Sequence, residues 1–67
     1  MVRTVELTQS VQAKLNKDGF FSNFIDDAML DFKYSKCDKA SYYYPGGNLI
    51  VSKYNNNITA DWIPEQH

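Results

Sequence analysis

Residues 21–32 read FSNFIDDAMLDF, and this stretch decides the fold of the chain. Its apolar residues recur at the spacing i, i+3, i+4, i+7, i+8 and i+11, which is typical of one continuous helical face. That face consists of Phe21, Phe24, Ile25, Ala28, Met29 and Phe32. Ser22 is a favourable N-cap and Lys33 follows where cations stabilise a helix C-terminus, so we predict a helix over residues 22–34 that forms the main core element.

The segment before this helix has a different period. Residues 2–7 alternate apolar or β-branched residues with polar ones, which predicts a half-buried strand with Val5 and Leu7 on its inner face. The strand therefore precedes the helical part of the chain.

A shorter helix is predicted between the strand and the main helix. Thr8 or Ser10 can accept a hydrogen bond from a free backbone N–H at its start, and Gly19 is a natural stop. We expect this helix over residues 9–18.

The C-terminal part of the chain predicts an antiparallel β-meander. Its three strands are expected over residues 41–44, 48–54 and 58–63, joined by turns at Pro45-Gly46-Gly47 and Asn55-Asn56-Asn57. Asn tolerates positive φ, which suits the second turn. Leu49 and Val51 share one face of the middle strand and Ile50 and Tyr54 the other, and the pattern leaves open which face is buried.

These elements together predict one small α+β domain over residues 1–67. Residues 2–34 form the strand, helix and helix, residues 35–40 a linker, residues 41–63 the meander and residues 64–67 a frayed tail. At 67 residues the core is small, because a chain of this size buries only about 60% of its unfolded surface.

Composition excludes several classes of protein. Seven Lys and Arg residues against eight Asp and Glu residues argue against a protein that relies on neutralising phosphates. One Cys and one His cannot form an intrachain disulfide or a four-ligand zinc site, so we expect no metal and no cofactor. The sequence shows neither a signal peptide nor an apolar run long enough for a bilayer, which predicts a cytoplasmic protein without a membrane partner.

Side chains that could support catalysis are isolated from one another. His67 is the last residue, and Cys37 has neighbouring lysines but no base in the sequence around it. Asp27 and Asp31 lie one helical turn apart and could share a cation, but no ligand-rich loop accompanies them and a plain acidic face is favoured. We therefore expect no enzymatic activity.

Aromatic residues indicate recognition instead. Tyr and Trp are enriched in protein interfaces, and three consecutive tyrosines cannot all point inward from one strand. The predicted partner-binding residues are Tyr42, Tyr43, Tyr44, Tyr54, Asp27 and Asp31. Lysines beside tyrosines could also bind a single-stranded nucleic acid, although a solvated linker next to an edge strand explains the same residues.

Two stretches resemble the ribbon–helix–helix family of repressors and antitoxins. They are residues 5–15, VELTQSVQAKL, and residues 19–29, GFFSNFIDDAM, in which Gly19 and Ser22 frame the second helix. The resemblance implies a dimer whose strands enter the DNA major groove, with Thr4 as the candidate base reader and the meander as an appended partner-binding region. The nucleic-acid-binding residues in this interpretation are Arg3, Thr4, Lys33, Lys36 and Lys39.

The function predicted from the sequence is a small non-enzymatic protein-binding module. It would act as an inhibitor, an antitoxin, an immunity-like protein or a phage-encoded regulator, as a monomer or a homodimer. The alternative is a dimeric ribbon–helix–helix DNA-binding protein that regulates transcription.

Overall fold

The computed structural model of the chain describes residues 4–65, which form one mixed sheet and two helices. The elements are β1 (Thr4–Leu7), α1 (Gln9–Lys17), α2 (Phe21–Lys33), β2 (Lys39–Tyr44), β3 (Gly47–Tyr54) and β4 (Asn57–Pro64). The sheet order is β1-β4-β3-β2, with β2, β3 and β4 antiparallel. The predicted α+β class, the N-terminal strand, both helices and the C-terminal meander are confirmed.

The N-terminal strand joins the meander at one edge. β1 runs parallel to β4, with Val5 opposite Ile58 and Leu7 opposite Ala60. The backbone N–H of Thr8 continues this pairing by donating to the carbonyl of Ala60 at 3.1 Å. The first and last described strands are therefore neighbours in the sheet.

The core lies between the two helices and one face of the sheet. Its buried residues are Val11, Phe21, Ile25, Ala28, Phe32, Leu49, Val51, Ile58, Ala60 and Trp62. The face of β3 that carries Leu49 and Val51 is thus the buried one, which settles the choice that the sequence left open. Of the six apolar positions on α2, Phe24 and Met29 are only partly buried and the other four are buried.

The predicted start of the second helix was wrong by one residue. The carboxylate of Asp18 accepts a hydrogen bond from the backbone N–H of Phe20 at 3.0 Å, which turns the chain so that α2 already begins at Phe21. Ser22 is therefore inside the first turn, where its hydroxyl donates to the carbonyl of Gly19 at 2.9 Å. Ser22 fixes the approach to α2 instead of capping it.

Val5 lies on the inner face of the sheet as predicted, since it pairs with the buried residue Ile58. Its side chain is nevertheless 50% exposed, because β1 is an edge strand and no strand covers its outer side within residues 4–65. Leu7 is partly buried against the core as predicted. Residues 2 and 3 of the predicted strand, and 66 and 67 of the predicted tail, lie outside the described residues.

Both turns of the meander are two residues long. Asn55 and Asn56 have φ values of 50° and 68°, as expected for a tight hairpin turn with both central residues in the left-handed region. Gly46 follows Pro45 with a φ of 106°, and a proline followed by a residue of positive φ indicates a type II turn. The linker prediction ends too late, since Ala40 already pairs with Val51 in β2.

The helices in the described part of the chain are too short or too polar to span a bilayer.

Candidate functional site

The three consecutive tyrosines of β2 divide between the two faces of the sheet. Tyr42 and Tyr44 are partly buried on the helix side, whereas Tyr43 is 66% exposed on the opposite side. The alternation follows from the period of two in a strand. At least one outward tyrosine was predicted, and Tyr43 is that residue.

The inward tyrosines connect the sheet to the helical layer. The hydroxyl of Tyr42 donates to a carboxylate oxygen of Asp31 on α2 at 2.8 Å. The hydroxyl of Tyr44 donates to a carboxylate oxygen of Asp18, between α1 and α2, at 2.7 Å. Both tyrosines and both aspartates thus already have partners within the chain.

The ring of Tyr44 belongs to an aromatic cluster at the start of α2. Its centroid lies 4.7 Å from that of Phe24 and 5.0 Å from that of Phe21. Phe21 in turn meets Trp62 edge-on at 4.9 Å, and the ammonium of Lys14 lies 5.2 Å from the centroid of Trp62. These contacts give Tyr44 a role in packing α1 and α2 onto the sheet.

The same hydrogen bonds shift the pKa values of Tyr42, Tyr44 and Asp18. Partial burial, followed by the bond to Asp31, raises the pKa of Tyr42 to about 12. The bond to Asp18 raises the pKa of Tyr44, and in return the Tyr44 hydroxyl lowers the pKa of Asp18. The Tyr42 phenol is therefore neutral across the neutral pH range, and the second pair combines the neutral phenol of Tyr44 with the ionised carboxylate of Asp18.

The outer face of the sheet carries the exposed aromatic and aliphatic residues of the meander. Tyr43 lies opposite Asn48, and Asn48 lies opposite Ile63, so the three side chains form a row across β2, β3 and β4. Ile50 follows two residues after Asn48 on the same face of β3 and is half-buried. We call these four residues the outer patch.

Tyr54 lies at the far end of the same face. It is 78% exposed and pairs with Asn57, whose side-chain oxygen accepts a hydrogen bond from the Thr4 hydroxyl at 2.8 Å. Tyr54 is six residues from Asn48 along β3, a distance of about 20 Å in an extended strand. Tyr43 and Tyr54 therefore share a face but cannot touch the same small feature of a partner.

The predicted acidic residues lie on the helical side of the domain. Asp27 is exposed on α2, and Asp31 is bonded to Tyr42. Within residues 4–65, no three His, Cys, Asp or Glu side chains are grouped as metal ligands would be. The structure thus separates Asp27 and Asp31 from the outer patch by the thickness of the sheet.

A groove lies between β1 and α2. It encloses about 370 Å³ and is lined by Thr4, Val5, Asp26, Met29, Leu30, Lys33 and Ile58. Val5 and Leu30 are exposed by 50% and 58% of their surface, and the charged side chains belong to α2. We call this feature the β1–α2 groove.

Comparison with protein-family models, curated proteins and solved structures finds no match to this chain.

The predicted nucleic-acid-binding residues are distributed over several surfaces. Thr4 and Lys33 line the β1–α2 groove together with the carboxylate of Asp26. Lys36 lies in the loop after α2, and Lys39 begins β2. Arg3 lies outside the described residues, and the ribbon–helix–helix resemblance stays a prediction.

Lys53 has a structural role that the sequence did not reveal. Its ammonium donates to the carbonyls of Ser35 at 3.0 Å and Phe32 at 3.4 Å, and so ties β3 to the C-terminal end of α2. The groove was also missed. A signal for it existed in Leu30, an apolar residue outside the six-position face of α2.

Proposed function

We propose that this protein is a small non-enzymatic interaction module that binds a folded protein partner through the outer patch. Such a module acts as an inhibitor, an antitoxin, an immunity-like protein or a phage-encoded regulator, by covering a surface of its target. The observation that supports the proposal is the exposure of Tyr43 and Ile63, by 66% and 50%, on a sheet face that neither helix covers.

The chemistry of the patch suits protein recognition. Tyr43 offers a rigid ring with a hydroxyl at its tip, and tyrosine is enriched among the residues that dominate binding energy. Ile63 and Ile50 supply aliphatic surface around it, while Asn48 offers an amide in the centre of the row. A patch of this kind combines apolar surface with hydrogen-bonding groups, which resembles the composition of protein interfaces.

The patch is built on a fixed support. β3 pairs with β2 on one side and with β4 on the other, so the backbones under Asn48 and Ile50 are held along both edges. Their neighbours on the opposite face, Leu49 and Val51, are fully buried. The outer side chains are thus presented with little backbone entropy left to lose on binding.

The test is a comparison of two matched tyrosine variants. Tyr43→Ala removes the aromatic side chain of the outer patch, and Tyr54→Ala removes another exposed tyrosine from the far end of the same face. Truncation of a dominant interface residue costs about 2 kcal/mol or more, which weakens binding by roughly 30-fold. Circular dichroism melts of both variants check that the domain remains folded.

Tagged wild-type protein is used to isolate its partner from a lysate of the source cells, and the partner is then purified and titrated by calorimetry. We expect Tyr43→Ala to lose most of the affinity and Tyr54→Ala to keep it. The proposal fails if no protein is retained, or if folded Tyr43→Ala binds the partner as tightly as Tyr54→Ala does.

A further inference from the structure

The outer edge of β1 offers backbone hydrogen-bonding groups to a ligand. β1 pairs with β4 along one edge, and within residues 4–65 no strand pairs with the other. The N–H of Thr8 points to β4, because it donates to Ala60. The backbone N–H and C=O of one residue in a strand point to the same side, and successive residues alternate sides. The backbone groups of Glu6 therefore also point to β4, and those of Val5 and Leu7 point to the free edge.

A side-chain contact supports this assignment. The amide nitrogen of the Gln12 side chain donates to the Leu7 carbonyl at 2.9 Å, and that carbonyl is on the outward side. Within residues 4–65, no strand pairs with the N–H and C=O of Val5 or with the N–H of Leu7, so these groups can bond to another strand. The N–H and C=O of Val5 can make the closely spaced pair of hydrogen bonds of an antiparallel ladder with the residue opposite it. The N–H of Leu7 can make one further hydrogen bond, in the next pair along the strand.

The β1–α2 groove lies beside this edge and offers the matching side-chain site. The Val5 side chain lines the groove, so a strand added to β1 would place the residue opposite Val5 over Met29 and Leu30. The groove is therefore suited to an apolar side chain carried on an extended backbone.

The charges on α2 define what flanks that apolar residue. Asp26 and Lys33 are seven residues apart on α2, about 10 Å along the helix axis. The start of α2 lies near the end of β4, because Phe21 packs on Trp62. The end of α2 lies near the start of β4, because the Phe32 carbonyl accepts a hydrogen bond from Lys53, which pairs with Ile58. Helix α2 therefore runs antiparallel to β4 and to its parallel neighbour β1. Asp26 therefore lies toward the Leu7 end of β1, and Lys33 lies toward the Thr4 end.

A second copy of the chain fits this site less well than a peptide. A copy paired antiparallel about Val5 would place its own Val5 over Met29 and Leu30. It would, however, bring Leu7 to the end of the groove that Lys33 flanks, and Leu7 has no carboxylate to pair with that ammonium. An extended segment of a partner can carry an acidic residue at that position.

We infer that the β1–α2 groove binds an extended peptide segment of a protein partner, which adds antiparallel to the outer edge of β1. The segment carries an apolar residue opposite Val5. Two residues before it is a basic residue that reaches Asp26, and two residues after it is an acidic residue that reaches Lys33. This site is separate from the outer patch and does not depend on the proposed function.

The experiment uses the purified chain and two short capped peptides, TKTVTET and its charge-exchanged control TETVTKT. Amide-resolved NMR titration follows the Val5 and Leu7 amides, which acquire hydrogen bonds on strand addition. We expect the first peptide to bind about fivefold more tightly than the control, because it gains two exposed ion pairs where the control meets like charges.

Two sets of variants sharpen the result. The double variant Asp26→Lys, Lys33→Glu should reverse the preference, so that the control peptide binds more tightly. Leu30→Ser should weaken both peptides, whereas Phe20→Ser, at an exposed residue away from the groove, should leave both affinities unchanged.

The inference is overturned if neither peptide shifts the Val5 and Leu7 amides at millimolar concentration, or if the double variant keeps the wild-type preference. It is also overturned if these amides shift with protein concentration alone, because a second copy would then occupy the edge. The test requires no natural partner, so its result is independent of the lysate experiment on Tyr43.

Discussion

Replacing Gly47 with alanine places a methyl group against the backbone of β4. Gly47 is buried at the start of β3, and its added Cβ would lie 2.8 Å from Cζ2 of Trp62 and 3.0 Å from Cα of Pro64. The same methyl group would also contact the carbonyl oxygen of Ile63. Two of these three obstacles are backbone atoms of the paired strand, so a change of side-chain rotamer cannot remove the clash.

The third obstacle is also held in place. The Trp62 ring is packed edge-on against Phe21 at 4.9 Å, within the aromatic cluster that includes Tyr44. Inserting a methyl group into a well-packed site costs about 1–3 kcal/mol. A domain of this size has a free energy of unfolding of about 3–10 kcal/mol, so a loss of about 2 kcal/mol lowers the Tm by roughly 8–16 °C.

Gly19→Ala is the matched control. A Cβ at Gly19 meets no atom within 4 Å, so the substitution mainly restricts the unfolded chain and should stabilise by about 0.4–1 kcal/mol. Urea unfolding followed by circular dichroism and by the fluorescence of Trp62 measures both variants. The reasoning is refuted if Gly47→Ala unfolds within about 0.5 kcal/mol of wild type, or if both variants change stability in the same direction.

Two further predictions concern pH. Hydrogen bonds from Ser10 and Thr8 lower the pKa of Asp61 in the folded state. The ionised carboxylate therefore stabilises the fold above the pKa that Asp61 has in the unfolded chain, and this stabilisation is lost as the pH falls through the lower pKa of the folded state. Asp61→Asn should therefore flatten the loss of stability in acid, measured by urea unfolding from neutral pH to below pH 3.8, and an unchanged slope would contradict this. At alkaline pH the free energy of unfolding changes in the opposite direction, because the pKa of Tyr42 is raised to about 12 in the folded state. Between pH 10 and about 12 the Tyr42 phenol ionises in the unfolded chain but not in the folded one, so stability falls as the pH rises. Tyr42→Phe should reduce that fall while Tyr54→Phe does not, and equal profiles for the two variants would rule out the assignment.

The elements encoded by local pattern could be predicted from the sequence. The apolar spacing on α2 identifies its inner face, and the turn at Asn55 and Asn56 divides two strands because both residues adopt positive φ. These features depend on residues close together in the chain. Predictions of this kind differ from the structure by only a few residues at the ends of the elements.

The features that depend on pairing between distant segments could not be predicted in this way. The alternation of β2 requires one outward tyrosine, but only the register of Tyr42 opposite Leu49 shows that it is Tyr43. The groove requires knowledge that β1 joins β4, since its walls come from separate segments. The sequence therefore led to the prediction that tyrosine-bearing strands act in recognition, without locating either the outer patch or the groove.

The parallel pairing of β1 with β4 has a consequence for the order of folding. Val5 pairs with Ile58, so most of the described chain must be closed into a loop before β1 gains its partner. Closing so long a loop is entropically costly, and contacts distant in sequence slow folding. The helices and the β2–β3 hairpin can form from local contacts, but the groove is completed only when β4 has been synthesised and docked. Peptide capture would then report complete folding, and nascent chains that lack β4 would escape it.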